Sequence, residues 1–210
     1  MAAKLLAVGL VVLCGAAGAA SACQKQSNPV FEDNFKNADP GWGRADNAAA
    51  FTQDGLVLTP PTSGSAWRSN ANLSMAHGDW CIRVINPSNL PNPADQDAVG
   101  SVGVWFWGKD LQNFYTATIT LDGNASIDRL NRGIWQVVVP PAAASSIKTA
   151  PGSVNEIEIV TNGNTASFYV NGSLVTDITA HPPTGGGAPG IYGESGPTGT
   201  RWVFPHVAMY

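Results

Sequence analysis

Residues 156–178 read EIEIVTNGNTASFYVNGSLVTDI. Three apolar, β-branched runs are separated there by Asn162-Gly163 and Asn171-Gly172. Asn-Gly takes up the positive φ angles of type I′ hairpin turns, whose twist matches that of the flanking strands. In the first run Ile157 and Ile159 alternate with Glu156 and Glu158, the two-residue period of a strand with one face buried. Asp54-Gly55 and Asp122-Gly123 repeat the turn signal further upstream. The run from Val102 to Ile178 therefore predicts one antiparallel strand after another. No stretch carries a helical period over three turns. Only Ala142–Lys148, between Pro141 and Pro151, predicts a single helical turn. The expected architecture is all-β, an antiparallel two-sheet jelly-roll sandwich.

The first residues stand apart from this pattern. A basic start at Lys4, an apolar run over Leu5–Leu13 and Ala20-Ser21-Ala22 match a secretory signal peptide with its small-residue cleavage site. The run is too short for a good membrane span, which takes about 20 apolar residues. Cleavage after Ala22 leaves residues 23–210 as a single domain, long enough for a sizeable core. Cys23 and Cys81 are then an even pair in an oxidising compartment, and a disulfide between them is expected. Ser21-Ala22-Cys23 also fits a lipid-attachment site at Cys23, although Ala20 stands where leucine is preferred. Both readings place the protein outside the cytoplasm, periplasmic or secreted.

Without Lys4, ten basic residues face 15 acidic ones, and no basic run interrupts the chain. That balance argues against nucleic acid as a partner, because clustered Lys and Arg are needed to replace counterions. The three histidines, His77, His181 and His206, have no ligand spacing. There is no phosphate-cradling glycine loop, no G-x-S-x-G and no C-x-x-C. Neither a metal nor a cofactor is expected.

Several of these stretches resemble a known family. Phe31-Glu32-Asp33-Asn34-Phe35 with Gly41-Trp42 is similar to the start of concanavalin A-like jelly rolls of the laminin-G type. Gly103-Val104-Trp105-Phe106-Trp107, Asn113-Phe114-Tyr115, Asp122-Gly123, Arg129, Asn171-Gly172, Gly190-Ile191-Tyr192 and Val203-Phe204 continue the likeness over nearly all of residues 23–210. The chain most resembles secreted bacterial 3-keto-disaccharide hydrolase-like domains, which are similar to family-16 glycoside hydrolases. The resemblance implies two curved sheets with glycans handled on the concave one.

Candidate site residues follow from strand parity. Val102, Val104 and Phe106 suit the inter-sheet core, which directs Trp105 and Trp107 to the other face, about 7 Å apart. Indoles stack on the C–H faces of sugars, and an uncovered Trp calls for a contact. The alternative is that a loop covers both. Tyr192 and Glu194 share the face opposite Ile191 and offer an aromatic beside a carboxylate, with Trp67 and Arg129 as neighbours.

Glycosidases use two carboxylates flanking the scissile bond. Here Glu156 and Glu158 share one strand face, but Thr161 stands where laminarinase-type enzymes carry a third acid. This pair is therefore expected to be a solvated outer face. Three functions remain open from sequence: a glycan-binding module using a concave aromatic face, a glycoside hydrolase acting on 3-keto-disaccharides or glucans, and a non-catalytic envelope or matrix protein. A carbohydrate partner suits the first two.

Overall fold

The computed structural model describes Cys23, residues 28–88 and residues 100–210. The leader segment, and the Pro-rich loop beyond Ser88, lie outside the described residues. What is described is an antiparallel sandwich of two sheets, as the hairpin signals predicted.

The larger sheet runs β12 (Ser173–Thr179), β11 (Thr165–Val170), β10 (Val154–Asn162), β5 (His77–Ile85), β14 (Trp202–Met209), β3 (Gly55–Leu58) and β2 (Ala49–Thr52). A short β1 (Phe31–Asp33) is the eighth strand and also pairs with β14. The smaller sheet runs β4 (Ser65–Ser69), β13 (Ala188–Glu194), β6 (Ser101–Asp110), β7 (Asn113–Thr120), β8 (Asn124–Asn131) and β9 (Ile134–Ala143). Within residues 142–148 β9 carries on to Ala143, and the expected turn is reduced to one hydrogen-bonded turn, Ile147 N donating to Ala144 O at 3.1 Å. Ala142 pairs with Ala125 and Val139 with Ile127, and the ladder outweighs the local proline signal.

All four turn signals lie at hairpins, but they use different backbone solutions. Only Asn171-Gly172 has both residues at positive φ, at 50° and 81°, as a type I′ turn requires. At Asp122-Gly123 the glycine alone is positive, and its N–H bonds Thr120 O at 3.1 Å. This is a type I turn closed by a glycine, the usual three-residue loop. A further turn with both angles positive joins β8 to β9 at Arg132 and Gly133, a pair with no Asn or Asp to announce it.

The core lies between the sheets. Leu56, Trp80, Ile82, Val84, Ile157, Ile159, Phe168 and Phe204 of the larger sheet meet Val102, Val104, Phe106, Ala117, Ile119, Ile127 and Ile191 of the smaller one. Two indoles also bridge the layers. Trp80 Nε1 donates to Gly190 O at 2.8 Å, and Trp202 Nε1 to Glu194 O at 2.7 Å. Each satisfies a buried donor and fixes β13 against the larger sheet.

Cys23 is bonded to Cys81, with their Cα atoms 5.6 Å apart. The expected disulfide is present, and it occupies the sulfur that a lipid thioether would need. The bridge ties Cys23 to β5 in the middle of the larger sheet. Tyr210 Oη donates to Cys23 O at 2.6 Å and holds the same corner. Among the described residues no helix is long and apolar enough to cross a membrane.

The carboxylates Glu156 and Glu158 sit on the larger sheet's outer face, as their alternation with Ile157 and Ile159 predicted. They are not a solvated pair. Glu158 is buried, and Glu156 accepts from Arg83 Nε at 3.1 Å. Glu158 pairs across the sheet with Cys81, which is bonded to Cys23, and sequence alternation alone does not reveal this.

Candidate functional site

The alternation that fills the core from the smaller sheet leaves a second set of residues on its opposite face. On β7, Tyr115, Ala117 and Ile119 point inward, whereas Thr116, Thr118 and Thr120 line a cavity outside. On β8, Ala125 and Ile127 point inward, with Ser126 and Asp128 lining that cavity. Ser101 on β6 and Tyr192 and Glu194 on β13 bound the other side. The resulting trough has a volume of about 330 Å³.

An aromatic cluster forms one end of the trough. Trp105 and Phe114 stack with centroids 3.7 Å apart and planes 18° apart. Trp67 lies 5.9 Å from each, and Leu130 and Tyr192 complete the group. Trp105 does face away from the core, as parity predicted, but at 2% exposure it is covered by its aromatic neighbours rather than open. The accessible indole belongs to Trp135 on β9, at 46% exposure. It stands edge-on to Phe114 at 5.5 Å and to Tyr192 at 6.0 Å, so these rings set its orientation.

Trp107 departs from the expected parity. A bulge interrupts the β6–β7 pairing after Phe106, and Trp107 takes φ 47°. The bulged backbone turns its side chain to the other face, where it joins the main core at 1% exposure. Arg129 leaves the trough as well. Its guanidinium carbon lies 5.2 Å from the ring centre of Tyr115, a core-facing residue. Of the six residues singled out from sequence, Tyr192 and Glu194 line the trough, and Trp105 and Trp67 pack with Tyr192 in the adjoining aromatic cluster. Trp107 and Arg129 belong to a separate pocket at the sheet's end.

The polar geometry of the trough is ordered. Glu194 accepts from Tyr192 Oη at 2.7 Å on one oxygen and from Ser101 Oγ at 2.8 Å on the other. Burial, and then the nearby Glu194 charge, push the Tyr192 phenol well above its ordinary range, so it remains a donor. Across the trough Asp128 accepts from Ser126 Oγ at 3.3 Å, and Ser126 in turn contacts Thr118 Oγ1 at 3.2 Å. Burial raises the Asp128 carboxyl above its usual value; the Ser126 hydrogen bond opposes that rise and the Glu194 charge adds to it. Two carboxylates, a row of hydroxyls and one accessible indole thus face a single cavity. Hydroxyls that both donate and accept, beside charged acceptors and an aromatic edge, suit a polyhydroxylated ligand.

The raised Asp128 value has a consequence for stability. Between its ordinary value and the higher folded one, the folded protein holds more proton than the unfolded chain. Stability therefore falls as pH rises through that window, and the penalty is complete above it. Asp128→Asn is expected to raise the melting temperature at neutral pH and leave it unchanged in acid below the window. Thermal melts at the two pH values check this, and a lower melting temperature at neutral pH would contradict it.

Trp135, Asp128 and the hydroxyl row were not singled out from sequence, although the alternation of Thr116, Thr118 and Thr120 against Tyr115, Ala117 and Ile119 carries the signal. The buried Asp33 on β1 is engaged within its own corner. It accepts from Phe35 N, Asp39 N and Trp42 Nε1 at 2.6, 2.8 and 3.0 Å.

No protein-family model matches the sequence, and a search of curated proteins gives no match. Solved structures do match. The carbohydrate-binding module CBM66 from Bacillus subtilis is similar with a TM-score of 0.59 at 15% identity, covering 76% of this chain and 88% of that one. A β-glucanase from Bacillus licheniformis gives 0.60 at 15% identity over 88% and 99%. A family-16 glycoside hydrolase from Bacteroides ovatus, in complex with a G4G4G3G product, gives 0.58 at 10% identity over 86% and 99%. At these identities the likeness is one of fold, the concanavalin A-like jelly roll that the sequence motifs resembled.

Proposed function

We propose that this protein binds glycan in the trough on the outward face of the smaller sheet, and does so outside the cytoplasm. The observation that carries the reading is the combination, in one cavity, of the accessible Trp135 indole with the Glu194–Tyr192–Ser101 and Asp128–Ser126–Thr118 hydrogen-bond arrays. An indole supplies an apolar face for sugar C–H groups, and pre-oriented carboxylates accept sugar hydroxyls without reorganising. Trp105 and Trp67 contribute as the packed floor that holds Tyr192 and Trp135 in place. The fold supports the reading, because CBM66 and the glucanases share it. The Cys23–Cys81 bond supports an oxidising compartment.

Titration of residues 23–210 against a panel of oligosaccharides tests the proposal. Trp135→Ala is expected to weaken binding by about tenfold or more, equivalent to about 1.4 kcal/mol. With 46% of the side chain exposed, the melting temperature should hardly move. Unchanged affinity in this variant would remove the trough from consideration.

One observation favours a second reading, hydrolysis. Glu194 and Asp128 share the cavity, and burial together with the Glu194 charge shifts the Asp128 carboxyl upward. Two carboxyl groups facing one cavity, one of them shifted upward, are the kind of pair that glycosidases use. Incubating 3-keto-disaccharides and glucans with the protein separates the two readings. Under hydrolysis, products form and both Asp128→Asn and Glu194→Gln abolish them; under binding alone, the sugars are recovered intact.

A further inference from the structure

The Trp107 bulge creates a second pocket, of about 240 Å³, at the end of the smaller sheet where β6, β7 and β8 meet the connection from β12 to β13. Its walls differ in charge from the rest of this acidic protein. Lys109, Arg129, Arg132 and His181 line it, and no carboxylate does. Arg129 makes no ion pair among the described residues, and its guanidinium is held in place over the Tyr115 ring. The neighbouring Asp110 is engaged within its own turn. It accepts from Gln112 N and Asn113 Nδ2, both at 2.8 Å.

A second, independent observation points to a ligand. Trp107 Nε1 is buried and has no hydrogen-bond partner, while its side chain forms part of the pocket wall. A buried N–H without an acceptor is costly, and nearly all native donors find one. Three cationic side chains and a tryptophan whose buried N–H is unmatched line one cavity, a lining that suits an oxyanion. Phe114 lines this pocket and also belongs to the aromatic floor of the trough, so the two sites adjoin through one residue.

We infer that this pocket accepts the anionic group, carboxylate or sulfate, of an acidic sugar. Resting on the reading of the trough as a glycan site, it makes the ligand class an acidic polysaccharide rather than a neutral one. Arg129 supplies the planar two-point contact, Lys109 and Arg132 add charge at the rim, and the Trp107 indole N–H donates from the wall. The trough takes the neutral faces of the same chain.

The test compares trigalacturonate, a sulfated trisaccharide and cellotriose by titration calorimetry, together with ¹⁵N spectra that report the Trp107 indole. One of the two acidic ligands is expected to bind at least tenfold more tightly than cellotriose, and the responsive arm identifies carboxylate or sulfate. The preference should shrink with added salt, and the Trp107 indole resonance should shift with the acidic ligand alone. Arg129→Gln should abolish the preference without changing cellotriose affinity. Lys109→Gln, on an exposed rim residue whose loss leaves packing intact, should reduce it about threefold.

Equal affinity for acidic and neutral ligands, or a preference that survives both substitutions, overturns the inference. If no neutral sugar binds but trigalacturonate still binds through Arg129, the trough reading fails and the anion pocket stands. If cellotriose binds through Trp135 with no acidic preference, the opposite holds.

Discussion

Trp107→Ala is expected to destabilise the protein by about 3–5 kcal/mol, the range for truncating a large aromatic in a closed core. The indole is fully buried, meets Phe106 at 5.2 Å and stands edge-on to Tyr115 at 5.3 Å. Tyr115 in turn carries Arg129, so the cavity left behind would loosen the anion pocket as well. Chemical denaturation of the variant measures the loss. A folded variant that loses less than about 1 kcal/mol would show that the bulge can collapse around the gap. Trp107→Phe should recover part of the loss by restoring ring packing without the N–H.

Replacing Cys23 and Cys81 together by serine should cost about 4 kcal/mol. The bridge closes a sequence separation of 58 residues, and the chain-entropy account assigns that figure to a loop of this length. The effect arises mostly in the unfolded chain, so the folded variant should keep native near-ultraviolet ellipticity while its denaturation midpoint falls. Titration of the unmodified, unfolded protein should find no free thiol at either position before reduction. Unchanged stability on reduction would mean that the N-terminal corner is held by Tyr210 and its neighbours rather than by the bond.

Sequence pattern carried most of the fold and about half of the site. Turn pairs and period-two alternation located the hairpins from β6 to β12, because a two-layer sandwich imposes inward and outward faces on every strand. Alternation also placed Tyr192 and Glu194 on one outward face with Trp105. It failed at Trp107 because an irregularity sets residues 107–109 of β6 opposite the single Phe114 of β7 and breaks the alternation there, and no glycine or proline in the Trp105–Trp107 triplet marks that point.

Trp135 escaped notice for a different reason. Its strand reads Ile-Trp-Gln-Val-Val-Val, with no alternation to separate faces, because β9 is an edge strand exposed along nearly its whole length. The second sheet-edge strand in the site, β4, was hidden within a Ser- and Gly-rich stretch. Glu158 looked like a surface residue because nothing local records that its partner across the sheet, Cys81, is bonded to Cys23. What sequence misses here is the interaction of elements far apart along the chain.

The position of β14 bears on when this molecule can fold. Residues 202–209 are translated after every other described strand, yet they lie inside the larger sheet. On one side they pair with β5, and on the other with β3 and β1. Until they emerge from the ribosome, β5 and β10–β12 have nothing to join them to β1–β3, and half of the core lacks Trp202, Phe204 and Val207. The larger sheet therefore cannot close until β14 is available to join its two parts. Closure through such distant contacts is slow, and it leaves the unassembled strands exposed to chaperones and proteases in the interval.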